Sequence, residues 1–311
     1  MPILNQYQSH QLPRNMSVSL SYRVTLFALR AKGIKKMFSQ DPIPYQKLRK
    51  DDVLQPKPSF FKGYQVKTFT IAESTLTEVK PQTPSDRLVV FIHGGAFISG
   101  PAQHHWDAVK TLVKETGHTV WLCDYPKAPE TQIKAISENI NAVYNAVLEN
   151  YPGKQAILIG DSVGGNLITG LTQRLIRAGK PLPRKVILIS PVMDSTFSNP
   201  QIPALDKRDP MLSLVGLKSS KRMCAGEVAL DDPMMSPLYG SFEGFPETVL
   251  FLGDRDICYA DEQLAVAKMK KAGVKLKVIE GKKMPHIWPI LPVMKEGKEA
   301  FAEIISQIIE A

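Results

Sequence analysis

Residues 156 to 168 constrain the fold more than any other stretch of the chain. A short apolar run, Ala156 to Ile159, passes directly into Gly160-Asp161-Ser162-Val163-Gly164-Gly165 and then into a helix-compatible stretch beginning Asn166-Leu167-Ile168. Small residues either side of Ser162 let the backbone make a strained strand-to-helix turn that lifts the serine Oγ clear. A close-packed turn, or an anion site at a helix N-terminus, is the plainer alternative. The strand-turn-helix setting favours a nucleophilic serine.

The alternation around this turn recurs along the chain. From Gln65 onward, short β-branched or apolar runs alternate with longer amphipathic stretches, the pattern of strands joined by crossover helices. The predicted strands are Gln65 to Ile71, Thr75 to Val79, Arg87 to Ile92, Thr119 to Cys123, Ala156 to Ile159, Lys185 to Ile189, Thr248 to Leu252 and Lys275 to Ile279. The first two are close enough for a hairpin; the rest imply a mostly parallel sheet of about eight strands with helices on both faces, an α/β fold.

Two segments fall outside that rhythm. Leu20, Val24, Phe27, Ala31, Ile34 and Phe38 recur at steps of four and three, one apolar stripe on a helix whose other face carries Arg23, Arg30, Lys32 and Lys36. The second is the insertion from about 195 to 245, where Asp209-Pro210 reads as an N-cap and first helical residue before Met211. The two are expected to pack together over one edge of the sheet, within a single domain spanning 1–311.

At 43% hydrophobic and 22% charged, the 311 residues can bury a sizeable core. The formal net charge is +9, yet residues 1–58 hold ten basic side chains against three acids, so the remainder is nearly neutral. Such lopsidedness argues against a general nucleic-acid surface, which needs basic residues interleaved with stacking aromatics along a groove. Three cysteines, Cys123, Cys224 and Cys258, are too sparse for a disulfide framework, and a reducing, cytoplasmic setting fits them. The first fifteen residues lack the pattern of a secretory leader, and nowhere do 18 apolar residues run together.

A hydroxyl attacks a carbonyl only when a base takes its proton and donors hold the resulting oxyanion. The strand ending at Ile92 runs into His93-Gly94-Gly95-Ala96-Phe97, whose glycines allow the Gly94 and Gly95 N–H groups to face a site. The N–H of Val163, after the serine, completes the set. His93 itself reads as structural. Of six histidines, only His286 follows Ser162 in the chain order serine, acid, histidine, and it lies after the last strand, at the carboxyl edge of the sheet. Asp254 and Asp256 both follow the seventh strand at suitable spacing. Asp261 and Glu262 look like first-turn residues of the next helix.

From about Gln65 to its end the chain resembles the α/β-hydrolase fold, and specifically the hormone-sensitive-lipase-like carboxylesterases. The resemblance rests on His93-Gly94-Gly95-Ala96, Asp124-Tyr125-Pro126-Lys127-Ala128-Pro129-Glu130, Gly160 to Gly165, Asp232-Pro233 with Ser236-Pro237, Gly253 to Glu262, and His286. It implies that the acid is Asp256, with Asp261-Glu262 behind it, and that residues 1–58 and 195–245 form a cap. It also implies hydrolysis of esters with small to medium acyl groups through an acyl-enzyme, with no cofactor and no metal; homodimers occur in the family. Ala96 stands where the family usually has a third glycine, and Pro126 and Lys127 replace its arginine and leucine.

Other readings carry less weight. Plant hormone receptors of this family bind ligands on the same scaffold but lose the catalytic histidine, and an amidase or peptidase would use the same triad. Gln103-His104-His105-Trp106-Asp107 invites a metal, yet adjacent histidines diverge on a helix and no third partner is evident. Asp161 is expected to hold the turn by hydrogen bonds, and Cys258 to pack. The basic N-terminal helix has the charge to contact a membrane, but its stripe is equally explained by closing over the site, and its few bulky aromatics favour the cap.

Overall fold

A computed structural model describes residues 8–11, 18–151, 156–291 and 293–311. Arg14 and most of the N-terminal stretch read for a leader lie outside the described residues. Nine strands form one sheet: β1 (Gln8–Gln11), β2 (Gln65–Ile71), β3 (Ser74–Lys80), β4 (Leu88–Ile92), β5 (Thr119–Asp124), β6 (Ala156–Asp161), β7 (Lys185–Ile189), β8 (Glu247–Gly253) and β9 (Leu276–Gly281). Their order across the sheet is β1-β9-β8-β7-β6-β4-β5-β3-β2. The β2–β3 hairpin and the β3–β5 pair are antiparallel, and every other pair is parallel.

All eight strands expected from periodicity are present, with ends shifted by at most two residues. The ninth, β1, reads Gln-Ser-His-Gln and carries no β-branched or apolar signal; it is a strand because β9 offers it an open edge, in the register Gln8 to Lys277 through Gln11 to Glu280. Strands β4, β6 and β7 are buried along their whole length, which is why they read as continuous apolar runs rather than alternating ones.

The described α-helices are α1 (Leu20–Ala31), α2 (Ile34–Phe38), α3 (Tyr45–Leu48), α4 (Gln103–Thr116), α5 (Ile133–Asn150), α6 (Val163–Arg177), α7 (Ile202–Arg208), α8 (Leu214–Ala225), α9 (Tyr259–Lys271) and α10 (Lys295–Ile309). Helix α4 packs with α10, and α5 with α6, sandwiching the sheet between two helical layers.

The N-terminal stripe behaves differently from its sequence pattern. Gly33, at φ 66°, separates α1 from α2, and Leu20, Val24 and Phe27 are 77%, 51% and 73% exposed. The buried face is instead Tyr22, Thr25 and Leu26. Helix α1 is held through polar contacts. Ser19 caps it by accepting from the Tyr22 N–H at 3.0 Å, and donates its own N–H and hydroxyl to Glu296 at 2.7 and 2.9 Å. The Tyr22 hydroxyl donates to the Lys283 carbonyl at 2.8 Å and accepts from Arg255 at 3.1 Å.

The insertion also departs from its reading. Asp209 ends α7, and α8 begins only at Leu214. The Asp209 side chain caps the intervening turn, accepting from the Met211 and Leu212 N–H groups at 2.7 and 2.8 Å, and reaches Ile257 N–H at 2.9 Å. The two irregular segments do meet, though above the carboxyl ends of β8 and β9 rather than over a sheet edge. Lys35 donates to the Asp209 carbonyl at 2.6 Å, and α2 packs on α8 where Gly216 faces Phe38.

A Cβ on Gly216 would stand 2.2 Å from the Phe38 carbonyl oxygen, against backbone that cannot rotate aside. Gly216→Ala is therefore expected to lower the unfolding free energy by about 1–3 kcal/mol through forced separation of α2 and α8, as read by urea denaturation.

Candidate active site

Ser162 sits between β6 and α6 at φ 53° and ψ −120°, a conformation that costs a non-glycine residue about 1–3 kcal/mol and persists only where its surroundings enforce it. The enforcement is visible. Ser162 N–H donates to the Ile189 carbonyl at 2.9 Å, and its own carbonyl accepts from Val192 N–H at 3.1 Å and Asn166 N–H at 3.2 Å. A Cβ on Gly164 would lie 2.0 Å from the Ile92 carbonyl oxygen, so only glycine lets α6 start this close to β4.

His286 lies on the loop after β9, and its Nδ1 is 2.6 Å from Asp256 Oδ2 on the loop after β8. Both groups are buried. An ionised Asp256 accepts only, so Nδ1 carries the proton and Nε2 is left with its lone pair. Asp256 Oδ1 accepts from Cys258 N–H at 2.9 Å. Asp254, the other acid that spacing allows, is half-exposed and accepts from Lys283 N–H at 2.5 Å. It braces the start of the histidine loop. That loop is also tied to the serine's surroundings: Ile287 N–H donates to Ser190 Oγ at 3.0 Å, one residue beyond the Ile189 carbonyl that holds Ser162.

Burial alone would lower the His286 pKa, but the Asp256 charge and hydrogen bond, with smaller help from Asp209 and Asp161, raise it above its ordinary value. Two further carboxyls crowd this corner. Burial and the Asp256 charge push Asp209 up to about 7 against the pull of its N–H donors, and push fully buried Glu262 well above the carboxylate range. Like charges this close do not all ionise. Asp209 was legible in sequence only as a helix N-cap, because the contact that brings it here spans 48 positions.

The glycine loop requires one correction. Gly94 N–H donates to Asp161 Oδ1 at 2.9 Å and is not free to hold a substrate oxygen, because a buried carboxylate stands where the oxyanion would have to be. The N–H groups of Gly95, Ala96 and Val163 find no acceptor among the described residues. Ala96, absent from the expected set, adopts φ 56° in the tight turn that Ile98 and Ser99 close by donating to the Gly95 carbonyl at 3.0 Å each.

Asp161 holds the turn, as its position suggested. Besides Gly94, it lies 3.2 Å from His105 Nε2, and burial that would raise it is outweighed by His105 and by these hydrogen bonds, leaving its carboxyl below the usual range. His104, His105 and Asp161 come close enough to suggest a metal, and Asp161 is the third partner the sequence did not reveal. His105, however, accepts from Ala102 N–H through Nδ1 at 2.9 Å and turns Nε2–H to Asp161, so no lone pair remains for an ion. His93 stacks on Tyr125 at 4.6 Å and approaches Asp124, which is ion-paired to Lys127. The lysine that replaces the resembling family's leucine thus braces the histidine of the glycine loop.

The pattern that defines the alpha/beta hydrolase fold family matches residues 89–290. An esterase of Acinetobacter venetianus is 31% identical over 248 residues, covering 77% of this chain and 80% of the relative. An acetyl-hydrolase of Streptomyces hygroscopicus is 29% identical over 236 residues, covering 74% and 78%. Among solved structures, an esterase from the bacterial hormone-sensitive lipase family superposes with a TM-score of 0.82 at 24% identity, covering 95% of this chain and 99% of the other.

Removing the acceptor that anchors Ile287 leaves a buried N–H unpaired. Ser190→Ala is expected to cost about 1–3 kcal/mol of stability, measured by urea denaturation, and to raise amide exchange at Ile287 selectively.

Proposed function

The chain belongs to the alpha/beta hydrolase fold family, and we propose from that premise that it is a serine carboxylesterase acting on small to medium acyl esters, with Ser162, His286 and Asp256 as its triad. The observation that carries the reading is the buried hydrogen bond from His286 Nδ1 to Asp256, coupled through the Ser190 bridge to a serine held in a left-handed turn.

In this mechanism the substrate carbonyl meets Ser162 Oγ while His286 Nε2 removes the hydroxyl proton. Asp256 holds the ring in the tautomer that leaves Nε2 basic and stabilises the imidazolium that forms. The tetrahedral oxyanion accepts hydrogen bonds from Gly95, Ala96 and Val163, the last at the positive end of α6. His286 then returns the proton to the departing alcohol, and water, activated by the same nitrogen, releases the acid. Every step uses groups of this chain. The names of the curated relatives, esterase and acetyl-hydrolase, support an ester with a short acyl group.

Three buried free cysteines suit a cytoplasmic setting. No helix among the described residues is long and apolar enough to cross a membrane. The exposed Leu20, Val24 and Phe27 of α1, beside Arg23, Arg30 and Lys32, nevertheless favour contact with an anionic lipid surface, since the stripe does not close over the site. Wild type should co-sediment with phosphatidylglycerol-containing vesicles and Phe27→Glu should not; equal sedimentation of the two would remove this contact.

The ester reading is tested with p-nitrophenyl esters from acetate to decanoate. Turnover should peak at short chains and fall about 10³-fold or more in Ser162→Ala. Absence of serine-dependent turnover on every ester, from folded protein, would move the assignment to an amidase or a ligand-binding protein.

Protonated His286 cannot accept the serine proton, so kcat/KM should fall as pH drops through its raised pKa, placing the acid limb above about 6.5. In Asp256→Asn burial prevails over the lost charge. The limb should then move below that value and kcat should drop by about 10³–10⁴.

A further inference from the structure

Lys221, on α8, is wholly buried, and its ammonium nitrogen has no acceptor among the described residues. Burial pushes the amine down to about 8, so it is still mostly protonated at neutral pH. A cation removed from water is costly unless something pairs with it. The Phe97 ring, 4.4 Å from the nitrogen, returns only part of that cost. The neighbouring thiols supply no counter-charge: burial drives Cys224 up to about 12 and Cys258 well above its ordinary value, so both are neutral.

The surroundings of this ammonium are the loops of the candidate active site. Phe97 directly follows Ala96, one of the free N–H donors. Cys258 follows Asp256 by two residues and donates its N–H to that carboxylate. Cys224, one turn along α8, lies near Tyr125, which stacks on His93. The unpaired charge therefore stands beside the glycine loop, which leads into Phe97, and near the acid loop, which carries Cys258.

We propose that Lys221 binds a compact anion carried by the substrate, so that the preferred esters bear a carboxylate on a short acyl or alcohol group. This rests on the esterase reading above. In a site of low polarity an ion pair formed by the correct substrate is strong, and a neutral substrate leaves the buried ammonium unpaired, which is how such a site rejects it. The sequence conceals this role because a lysine within a helix is ordinarily a solvent-facing residue.

Two pairs of esters test it and locate the carboxylate: p-nitrophenyl hemisuccinate against p-nitrophenyl butyrate for the acyl side, and 3-acetoxybenzoate against phenyl acetate for the alcohol side. In one pair, the charged-to-neutral ratio of kcat/KM should fall at least tenfold from wild type to Lys221→Met, with Lys221→Arg retaining part of it. Lys221→Gln serves as a second variant should the methionine protein not fold. Separately, Ser162→Ala protein is titrated calorimetrically with monomethyl succinate and acetoxyacetate. One of them should bind, and binding should vanish when Lys221→Met is added. Unchanged ratios in both pairs, together with equal or absent binding with and without Lys221, would overturn the proposal. Lysine-dependent binding without turnover of any ester would instead sustain the anion site and sink the esterase reading.

Discussion

The left-handed backbone at Ser162 is the constraint around which the rest of the molecule is arranged. A serine adopts it only when the chain on both sides is over-determined, and here β6 is clamped between β4 and β7 while α6 begins within contact of the Ile92 carbonyl. The same hydrogen bonds that hold Ser162 lead to Ser190, and from Ser190 to the histidine loop. Strain at one residue is thus sustained by a sheet of buried parallel strands, and placement of the proposed base follows from that of the proposed nucleophile.

Electrostatics at the other end of the site follow from scarcity of water. Asp256, Asp209 and Glu262 gather near one imidazole, and in a buried space they cannot all carry charge. Asp256 accepts from Cys258 N–H and from His286, while burial favours protonated Glu262. Asp209 occupies a middle position, spending its oxygens on a turn of the insertion and on Ile257. The insertion therefore joins the loop that carries the acid through a residue that also shapes its field.

The N-terminal segment is attached by polar contacts, by backbone and by Phe38 at the end of its apolar stripe, rather than by the α1 part of that stripe. Arg49 donates to the Ile98 and Ala128 carbonyls at 2.7 Å each and pairs with Glu130, Trp106 donates to the Val53 carbonyl at 2.6 Å, and Asp52 accepts from Gly100 N–H at 2.7 Å. These bonds brace the glycine loop from outside. A hydrophobic stripe is evidence that some apolar face exists, but which surface covers it depends on neighbours far away in sequence; in α1 Tyr22 and Leu26 turn inward, leaving Leu20 and Phe27 in solvent.

What the sequence determined by itself is local or ordinal. Periodicity marks the eight longer strands because those buried on both faces must be apolar along their length, while the exposed β2 shows through its β-branched residues. The turn at Ser162 is legible because only glycines permit its close approaches, and His286 because it alone among the histidines follows the serine. Tertiary structure decided the remainder. It made a strand of Gln8–Gln11 by offering an open edge, and it turned Gly94 N–H to Asp161, leaving Gly95 and Ala96 free. It also drew Asp209 beside Asp256 and buried the Lys221 ammonium without a partner. Each of these depends on where a donor, a charge or a sheet edge lies in space, and a linear pattern carries no record of which distant group will occupy that place.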